Sequence, residues 1–286
     1  MKIKARLEPG NVALVTGGSS GIGKAIACGL AERGMHVWLV AQRRELLESA
    51  RIEVETHRQS PNQIIGIVSA DVSELDQARM AVKQVSEKSA PPYLLINSAG
   101  VTYPGYVQDL DIDVFHWMME VNYFGTVYMT KEILPAMLNR GSGYILNISS
   151  VGGHLALFGY TAYGASKFAV RGFTDALRQE LKIYGIGVSI LYPSDTMTPQ
   201  LEFENKFKPA ETKALANLGN PMTAEAVSKA TIKGIERGQY RLIPGLDGKF
   251  WIRLNELSFG LVNFIIGDTI IADAHKKKNS SHNNEV

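Results

Sequence analysis

Residues 12–23 read VALVTGGSSGIG, and this stretch decides the fold. Val12 to Thr16 is a short run rich in β-branched residues, and a glycine-rich turn follows it from Gly17 to Gly23. A helical pattern then runs toward Gly34, a residue type common at helix C-termini. Strand, glycine turn and helix in this order predict the first unit of a dinucleotide-binding fold.

The glycine-rich turn is the predicted phosphate site. Glycines let the backbone approach a pyrophosphate, and the helix N-terminus supplies free N–H groups. The spacing is G-x-x-x-G-x-G, not the more common G-x-G-x-x-G, and a plain tight connection is the alternative. The position between strand and helix favours phosphate binding, for which we expect Gly17, Ser19, Ser20, Gly21, Ile22 and Gly23.

The end of the second predicted strand, His36 to Ala41, bears on the choice of nucleotide. A carboxylate there would bind the ribose hydroxyls of NAD and repel a 2′-phosphate. This chain instead continues with Gln42, Arg43 and Arg44. A guanidinium can pair with a 2′-phosphate, so the sequence favours NADP(H). The alternative is that these are solvated charges at the start of a helix.

Two further strand ends carry candidate cofactor contacts. Asp71 and Val72 follow a predicted strand, Ile64 to Ser69, and the carboxylate could accept from an adenine amino group or cap the next helix. The strand Tyr93 to Ile96 is followed by small residues that allow close approach to a cofactor, or that form only a turn. Those predicted to bind are Asn97, Ala99 and Gly100.

The remaining chain repeats the alternation of strands and helices. Further strands are predicted at Tyr144–Ser149, Val188–Tyr192 and, as a last edge strand, Tyr240–Ile243. Helices are predicted between them, over Ile112–Leu138, Thr161 to about Tyr184 and Ala224–Glu236. The pattern predicts an α/β fold with a single Rossmann-type, doubly wound parallel sheet covered by helices on both faces.

Ser150, Tyr163 and Lys167 form the candidate catalytic set. Ser150 follows a predicted strand at its C-terminal end, where α/β sheets bind ligands. Tyr163 and Lys167 are four residues apart, about one helical turn. An ammonium near a phenol favours the phenolate, so we expect a lowered tyrosine pKa that suits a general acid. Taken alone, the pair could be a partly buried aromatic beside a solvated lysine.

Composition limits the other function classes. The 286 residues have a net charge of +2, which gives no reason to expect nucleic acid. The single cysteine, Cys28, cannot form an internal disulfide, which is compatible with a reducing compartment. The first eleven residues are too polar for a secretory signal. The apolar stretch Leu257 to Ile271 is too interrupted to span a membrane.

Together these motifs resemble the short-chain dehydrogenase/reductase family over about residues 10–245. The resemblance implies ketone reduction by nicotinamide hydride, without a metal. Tyr163 is then the acid, Ser150 binds the carbonyl oxygen, Lys167 also holds the nicotinamide ribose and Asn122 anchors a water leading to Lys167. Thr196 would hold the carboxamide, beside Pro193. Ser194 follows that proline where the family usually has glycine.

The segment from Tyr192 to Thr212 is similar to that of 3-ketodihydrosphingosine reductases. That resemblance implies reduction of 3-oxosphinganine, a long-chain lipid ketone, by NADPH. Eukaryotic members are tied to the endoplasmic reticulum membrane, which suggests a cytoplasmic protein on the cytoplasmic face of a membrane. Those members often have arginine where this chain has Gln42, so the 2′-phosphate contact falls to Arg43.

The domain organisation follows from these motifs. Residues 1–248 form the predicted reductase domain, with a substrate lid at 193–220. Residues 249–275 form a C-terminal apolar extension, and 276–286 a disordered tail. Residues 250–271 could lie in a membrane interface, because they combine aromatic and aliphatic residues with flanking basic ones. They could equally pack on the lid or on a dimer partner.

Two rival functions remain open. One is a reductase of the same family with another hydrophobic carbonyl, such as a steroid or a 3-oxoacyl substrate. The other is a non-catalytic nucleotide-binding regulator, which predicts damage to the Ser–Tyr–Lys set that this chain does not have. The family usually pairs through the helices Ile112–Leu138 and Thr161–Tyr184, which implies a homodimer or homotetramer.

Overall fold

A computed structural model of the protein describes residues 2–216, 219–258 and 260–283, without the side chains of residues 262, 263, 266 and 278–283. The described strands are β1 Val12–Thr16, β2 His36–Ala41, β3 Ile65–Ser69, β4 Leu94–Asn97, β5 Gly143–Ile148, β6 Ile186–Leu191, β7 Thr196–Met197, β8 Met222–Thr223 and β9 Arg241–Leu242.

Seven of these strands form one sheet in the order β3-β2-β1-β4-β5-β6-β9. Every pairing in it is parallel. Strands β7 and β8 form a separate two-stranded pair. The predicted doubly wound sheet is therefore confirmed. The strand order reverses between β1 and β4, the point at which such sheets bind ligands.

Helices connect the strands and cover both faces of the sheet. The described helices are α1 Gly21–Ala31, α2 Arg44–Glu55, α3 Leu75–Lys88, α4 Ile112–Met118, α5 Gly125–Arg140, α6 Thr161–Lys182, α7 Pro199–Glu204, α8 Ala210–Ala216, α9 Ala224–Glu236, α10 Leu246–Leu257 and α11 Leu261–Asn283, with a 3-10 turn at Val151–Gly153.

The residues of β1 show how the sheet forms two cores. All five are buried, and alternate side chains point to opposite faces. Ala13 and Val15 belong to the core that also contains Ile26 of α1 and Val227 of α9. Val12 and Leu14 belong to the second core, with residues of α3, α5 and α6. A strand buried on both faces explains the continuous apolar run in the sequence.

The helix predicted over Ile112–Leu138 differs from the observed one. It is interrupted by a π-helical segment, Met119–Phe124, between α4 and α5. The segment contains Asn122, whose side chain binds the backbone of Val101. The local sequence does not reveal this bulge, because the contact of Asn122 with Val101 depends on a distant part of the chain.

The C-terminal region also differs from the prediction. The boundary at residue 248 falls inside α10, which buries Ile252 in the core. Helix α11 continues to Asn283, so residues 276–283 are helical where a disordered tail was predicted, and 284–286 lie outside the described residues. Helix α11 packs on the lid helix α8. His275 Nδ1 lies 3.0 Å from Oε1 of the buried Glu211.

Candidate active site

A cavity of about 520 Å³ opens at the C-terminal ends of the central strands. It brings together most of the predicted site residues, although they are far apart in the sequence. Those that line it are Gly17, Ser19, Ser20, Gly21, Ile22, Gly23, Arg43, Asp71, Val72, Ala99, Gly100, Ser150, Tyr163, Lys167, Pro193 and Thr196.

The first and last glycines of the turn, Gly17 and Gly23, have no room for a side chain. A Cβ on Gly17 would lie 2.8 Å from the backbone N of Ala99, and the φ of Gly17 is 61°. A Cβ on Gly23 would lie 2.4 Å from the carbonyl oxygen of Gly17. The first turn of α1 receives no side-chain cap from Ser20. The turn therefore presents a backbone cradle at a helix N-terminus, which fits a pyrophosphate.

The residues after β2 separate into two roles. Arg44 pairs with Glu48 at 3.6 Å and does not line the cavity. Arg43 lines it, is exposed and has no side-chain partner among the described residues, so its guanidinium is available to an anion. Gln42 Nε2 donates to Asp71 Oδ2 at 2.7 Å, and Asp71 Oδ1 accepts from the backbone N of Ser73 at 2.9 Å. Asp71 thus caps the next turn as well as lining the cavity.

Asn97 does not line the cavity, and its contact with the cofactor stays a prediction. Its side chain is buried, and Nδ2 donates to Asn147 Oδ1 at 2.9 Å and to Thr130 Oγ1 at 3.2 Å. These bonds join β4 to β5 and to α5. The side-chain amide of Asn97, the last residue of β4, therefore links β4 to its neighbours at the C-terminal edge of the sheet.

Ser150, Tyr163 and Lys167 converge on one wall of the cavity. Ser150 follows β5, and its hydroxyl accepts from the backbone N of Gly152 at 3.0 Å, which fixes the turn after the strand. Lys167 lies one turn after Tyr163 on α6, with Nζ 5.7 Å from the centre of the tyrosine ring. Its Nζ donates to the carbonyl oxygen of Ile148 at 3.2 Å. The predicted shared helix face is observed.

The pKa of Tyr163 differs from the expectation. Burial raises it above its ordinary value, a hydrogen bond from Ser150 opposes that rise, and the negative charges of Glu204 and Asp195 add to it. Lys167 lies with its Nζ 5.7 Å from the centre of the Tyr163 ring and donates to the carbonyl oxygen of Ile148. Burial lowers the pKa of Lys167 itself to about 8. The phenol therefore keeps its proton at neutral pH, as a proton donor must.

We call the wall formed by Ser150, Tyr163 and Lys167 the catalytic wall. Asn122 lies behind it and does not line the cavity. Its Oδ1 accepts from the backbone N of Val101 at 2.7 Å, and its Nδ2 donates to Ser166 Oγ at 2.8 Å. Ser166 in turn donates to the carbonyl oxygen of Tyr163 at 2.7 Å. A Cβ on Gly100 would approach both Asn122 Oδ1, at 3.1 Å, and Lys167 Nζ, at 3.2 Å. Asn122 thus joins the segment after β4 to the helix that carries Tyr163.

Pro193 and Thr196 border the other side of the catalytic wall. The carbonyl oxygen of Pro193 accepts from the backbone N of Val151 at 3.1 Å, which ties the segment after β6 to the turn after β5. Thr196 is buried, and its hydroxyl donates to the carbonyl oxygen of Ser194 at 2.8 Å. Both residues line the cavity.

The lid lines the cavity with only some of its large apolar residues. Leu201 and Leu215 line the cavity, together with Trp251 of α10. Phe203 and Phe207 do not; they pack on Tyr103, with ring centroids 6.2 Å and 4.7 Å away, and each remains 41% exposed. Residues 217 and 218 of the predicted lid lie outside the described residues.

Sequence reasoning missed a polar cluster beside Tyr163. Tyr160, Asp195 and Glu204 line the cavity, and the buried Lys208 holds both carboxylates. Tyr160 lies 5.6 Å from Tyr163 between ring centroids. The spacing of three residues between the two tyrosines was the available signal for Tyr160. Nothing local in the sequence indicated that the lid would bury Glu204 and Lys208.

Comparison with known proteins identifies relatives of high coverage. The chain is 41% identical over 236 residues to a 3-dehydrosphinganine reductase from Danio rerio, covering 82% of this chain and 71% of the relative. It is 39% identical over 241 residues to a 3-ketodihydrosphingosine reductase from Bos taurus, covering 84% and 73%. Among solved structures, an actinorhodin polyketide ketoreductase with NADPH matches with a TM-score of 0.73 at 28% identity, covering 84% of this chain and 97% of that one.

A family model also covers most of the chain. The model described as short chain dehydrogenase matches residues 11–208, which include the glycine turn, Ser150, Tyr163 and Lys167. The same residues form the cavity wall described above. The chain is an oxidoreductase that belongs to the short-chain dehydrogenase family.

Proposed function

We propose that the protein reduces the ketone of 3-oxosphinganine to the alcohol of sphinganine, using NADPH. The observation that carries the proposal is one cavity with Ser150, Tyr163 and Lys167 on one wall and apolar lid residues opposite. Relatives named for this reaction match more than four-fifths of the chain, which supports the substrate.

The residues around the glycine turn fit a dinucleotide, because the backbone cradle leaves no space for Cβ atoms. Gly17 to Gly23 would hold the pyrophosphate, Asp71 and Val72 the adenine, and Lys167 the nicotinamide ribose. When bound, the reduced nicotinamide supplies the hydride for the carbonyl carbon. Arg43 is the group that would pair with a 2′-phosphate, since it lines the cavity without a partner among the described residues.

The catalytic wall supplies the proton. Tyr163 holds a proton at neutral pH because burial raises the pKa of its phenol, and it donates that proton to the oxygen of the ketone. Ser150 donates a hydrogen bond to the same oxygen and fixes its position. Lys167, with a pKa of about 8, can return a proton to Tyr163 after each turnover.

Asn122 is a positioning residue in this proposal. It joins Val101 to Ser166, and Ser166 binds the carbonyl oxygen of Tyr163. Gly100 keeps the space between Asn122 and Lys167 free of a side chain. A water in that space would lead protons from solvent to Lys167. Pro193 and Thr196 would border the nicotinamide, with the Thr196 hydroxyl at its carboxamide.

The long chain of the substrate would lie along the apolar part of the cavity. Leu155 and Leu157 line it from the turn after β5, Leu201 and Leu215 from the lid, and Trp251 from α10. Burying apolar chain there contributes about 0.8 kcal/mol per methylene. This lining supports a long-chain ketone as substrate.

A peripheral membrane contact would bring such a lipid to the cavity. Among the described residues, no helix is long and apolar enough to cross a membrane. Helices α10 and α11 expose Phe250, Leu257, Leu261, Phe264 and Ile265, each by more than half. Parts of the predicted interfacial segment, residue 259 and three side chains, lie outside the described residues. These exposed groups support a peripheral contact with a membrane surface.

Liposome flotation tests this contact. We expect the full chain to float with vesicles, and Phe264→Gln with Ile265→Gln to reduce the floating fraction severalfold. Asp268→Asn, exposed on the same helix, is the matched control. Equal flotation of all three proteins would remove α11 from the contact.

Assembly through α4, α5 and α6 is a further part of the proposal. Trp117 of α4, Phe124 of the π-helical segment and Phe168 of α6 are each about 40% exposed, and exposed apolar groups can mark a protein interface. Light scattering of the eluting protein should give the mass of a dimer or tetramer. A monomeric mass at micromolar concentration would contradict this assembly.

A turnover assay tests the function directly. We expect oxidation of NADPH to depend on 3-oxosphinganine and to be slower with NADH. A steroid ketone and a 3-oxoacyl thioester serve as competing substrates, because selectivity is a difference between transition-state affinities. Faster turnover of either competitor would assign the protein a different substrate within the same family.

A further inference from the structure

The cavity continues from Tyr163 toward α10 along the turn after β5. A Cβ on Gly152 of this turn would lie 3.6 Å from Tyr163 Cε1 and 3.7 Å from Leu157 Cδ1. A Cβ on Gly248, in the first turn of α10, would lie 3.4 Å from Val151 Cγ2. All five residues line the cavity. The lining from the proton donor to α10 is therefore continuous, and these side chains are apolar apart from the phenol.

Three helices border the far end of the cavity. It is lined there by Leu215 and Ala216 of α8, by Trp251 of α10 and by Gly267 of α11. Helix α11 packs on both α8 and α10. A Cβ on Gly267 would nevertheless meet no atom of the described residues within 4 Å. The three helices therefore leave a gap at Gly267.

The helices around this gap expose apolar side chains. Phe264, one helical turn before Gly267, is 64% exposed. Other large apolar residues of α10 and α11 are exposed by more than half, namely Phe250, Leu257, Leu261 and Ile265. The polar side chains of α10 that line the cavity are Asp247 and Asn255. An exposed apolar surface that continues into a cavity indicates a ligand that is itself largely apolar.

We propose that Leu215, Trp251 and Gly267 form a portal through which the hydrocarbon chain of the substrate enters the cavity. The end of the chain lies in this portal while the carbonyl is at Tyr163. The inference rests on the proposed function and adds the path of the chain and the residues that set its length. Each methylene moved from water into such a lining contributes about fourfold to affinity. Glycine at 267 leaves space for the chain, because a side chain there would project into the portal.

Chain length tests the portal. We compare 3-oxosphinganine with homologues of successively shorter chain, in wild type and in Gly267→Phe. In wild type, kcat/KM should rise with chain length. Because Gly267→Phe fills the portal, we expect kcat/KM for 3-oxosphinganine to fall about tenfold, as from the loss of about two buried methylenes. The fall should shrink as the chain shortens and stay below about twofold for the shortest homologue, which does not reach the portal.

Matched variants control for effects on the fold. Ala272 is exposed on the same helix and does not line the cavity, so Ala272→Phe should leave kcat/KM unchanged at every chain length. If Gly267→Phe does not fold, Leu215→Asn repeats the test from α8, with the exposed Lys213→Asn as its control. An equal fall at all chain lengths would overturn the proposal, because it would make Gly267 a support of the fold. No fall at any length would overturn it as well.

Binding without turnover separates this inference from the proposed function. Trp117 and Trp251 line the cavity, so tryptophan fluorescence reports its occupation. We expect Gly267→Phe to weaken the binding of dodecanol about tenfold and that of hexanol by less than about twofold. This result without turnover of 3-oxosphinganine would contradict only the proposed substrate. Equal changes for the two alcohols, or none, would contradict the portal even where 3-oxosphinganine is reduced.

Discussion

The two sides of the cavity are built in different ways. On the nucleotide side, the lining comes from the ends of β1, β2 and β4 and from a turn in which glycines leave only backbone. On the lid side, it comes from short helices and from side chains that carry charge, with Glu204 and Lys208 buried together. One side therefore recognises its ligand through the backbone, and the other through side chains.

This difference indicates which side of the cavity can change its specificity for a ligand. A backbone cradle binds any phosphate of the right geometry and tolerates little change, because each added atom meets another backbone atom. The lid can change its chemistry with single side chains, since its short helices are fixed mainly by a few polar contacts and by α11. The family's common chemistry resides on the first side, and the choice of substrate on the second.

The largest expected effect comes from removing the hydroxyl of Tyr163, the proposed proton donor, which lies between the two sides of the cavity. Tyr163→Phe should reduce kcat by roughly a hundredfold to ten-thousandfold, because general acid catalysis contributes that range. Binding of NADPH should change little, since the glycine turn is untouched. Stopped-flow hydride transfer and nucleotide titration measure the two effects. Tyr184→Phe, exposed beyond the end of α6, is the control; activity equal to wild type in Tyr163→Phe would remove the assignment.

One added methyl group should disrupt the backbone turn on the nucleotide side of the cavity. Gly23→Ala places a Cβ 2.4 Å from the carbonyl oxygen of Gly17, so the turn must move. Overpacking of this kind costs about 1–3 kcal/mol, and nucleotide affinity should fall about tenfold or more. On the other side, Gly267→Ala in α11 meets no atom within 4 Å and should leave affinity unchanged. Calorimetric titration of both variants compares the two sides, and equal affinities would contradict the difference between them.

In the proposed function, Arg43 is the side chain that favours NADPH over NADH. Arg43→Ala should raise KM for NADPH roughly tenfold by loss of a charged hydrogen bond, and leave KM for NADH unchanged. Arg44→Ala is the matched control, because Arg44 pairs with Glu48 and does not line the cavity. An equal effect of the two substitutions would show that general charge, and not a contact at Arg43, sets the preference.

The lowered pKa of Lys167 predicts how the free energy of unfolding changes with pH. Burial lowers the pKa of its amine to about 8 from an ordinary 10.5. Between pH 8 and 10 the unfolded chain holds a proton that the folded chain releases, so the free energy of unfolding gains a rising contribution with pH. Lys167→Met should remove that contribution. Urea unfolding of both proteins across this range measures it, and parallel curves would contradict a lowered pKa.

The smallest expected effect concerns the contact between α11 and the lid. His275 is exposed and binds the buried Glu211, which also accepts from the hydroxyl of Tyr106 at 2.8 Å. Because Glu211 keeps the hydrogen bond from Tyr106, His275→Ala should lower the free energy of unfolding by only about 0.5–1.5 kcal/mol, the net contribution of one hydrogen bond. Hydrogen exchange should nevertheless increase in α8. Unchanged exchange there would show that α11 does not stabilise the lid.

Much of the fold and of the catalytic wall could be predicted from the sequence because both depend on local patterns. Val12 to Thr16 is buried on both faces, so it is apolar throughout. Tyr163 and Lys167 share a helix face because they are four residues apart. The π-helical turn at Asn122 and the inward direction of Asn97 were not predictable, because each depends on a partner in a distant strand or loop.

The sequence by itself determined the parallel sheet, the glycine turn and the spacing of Ser150, Tyr163 and Lys167, since periodicity and short-range spacing specify each of them. Only the tertiary structure decided that Arg43 and not Arg44 lines the cavity and that Glu204 and Lys208 are buried beside Tyr163. It also decided that burial raises the pKa of the tyrosine. The physical reason is that burial and charge interactions depend on distances between residues remote in the chain, which no local pattern records.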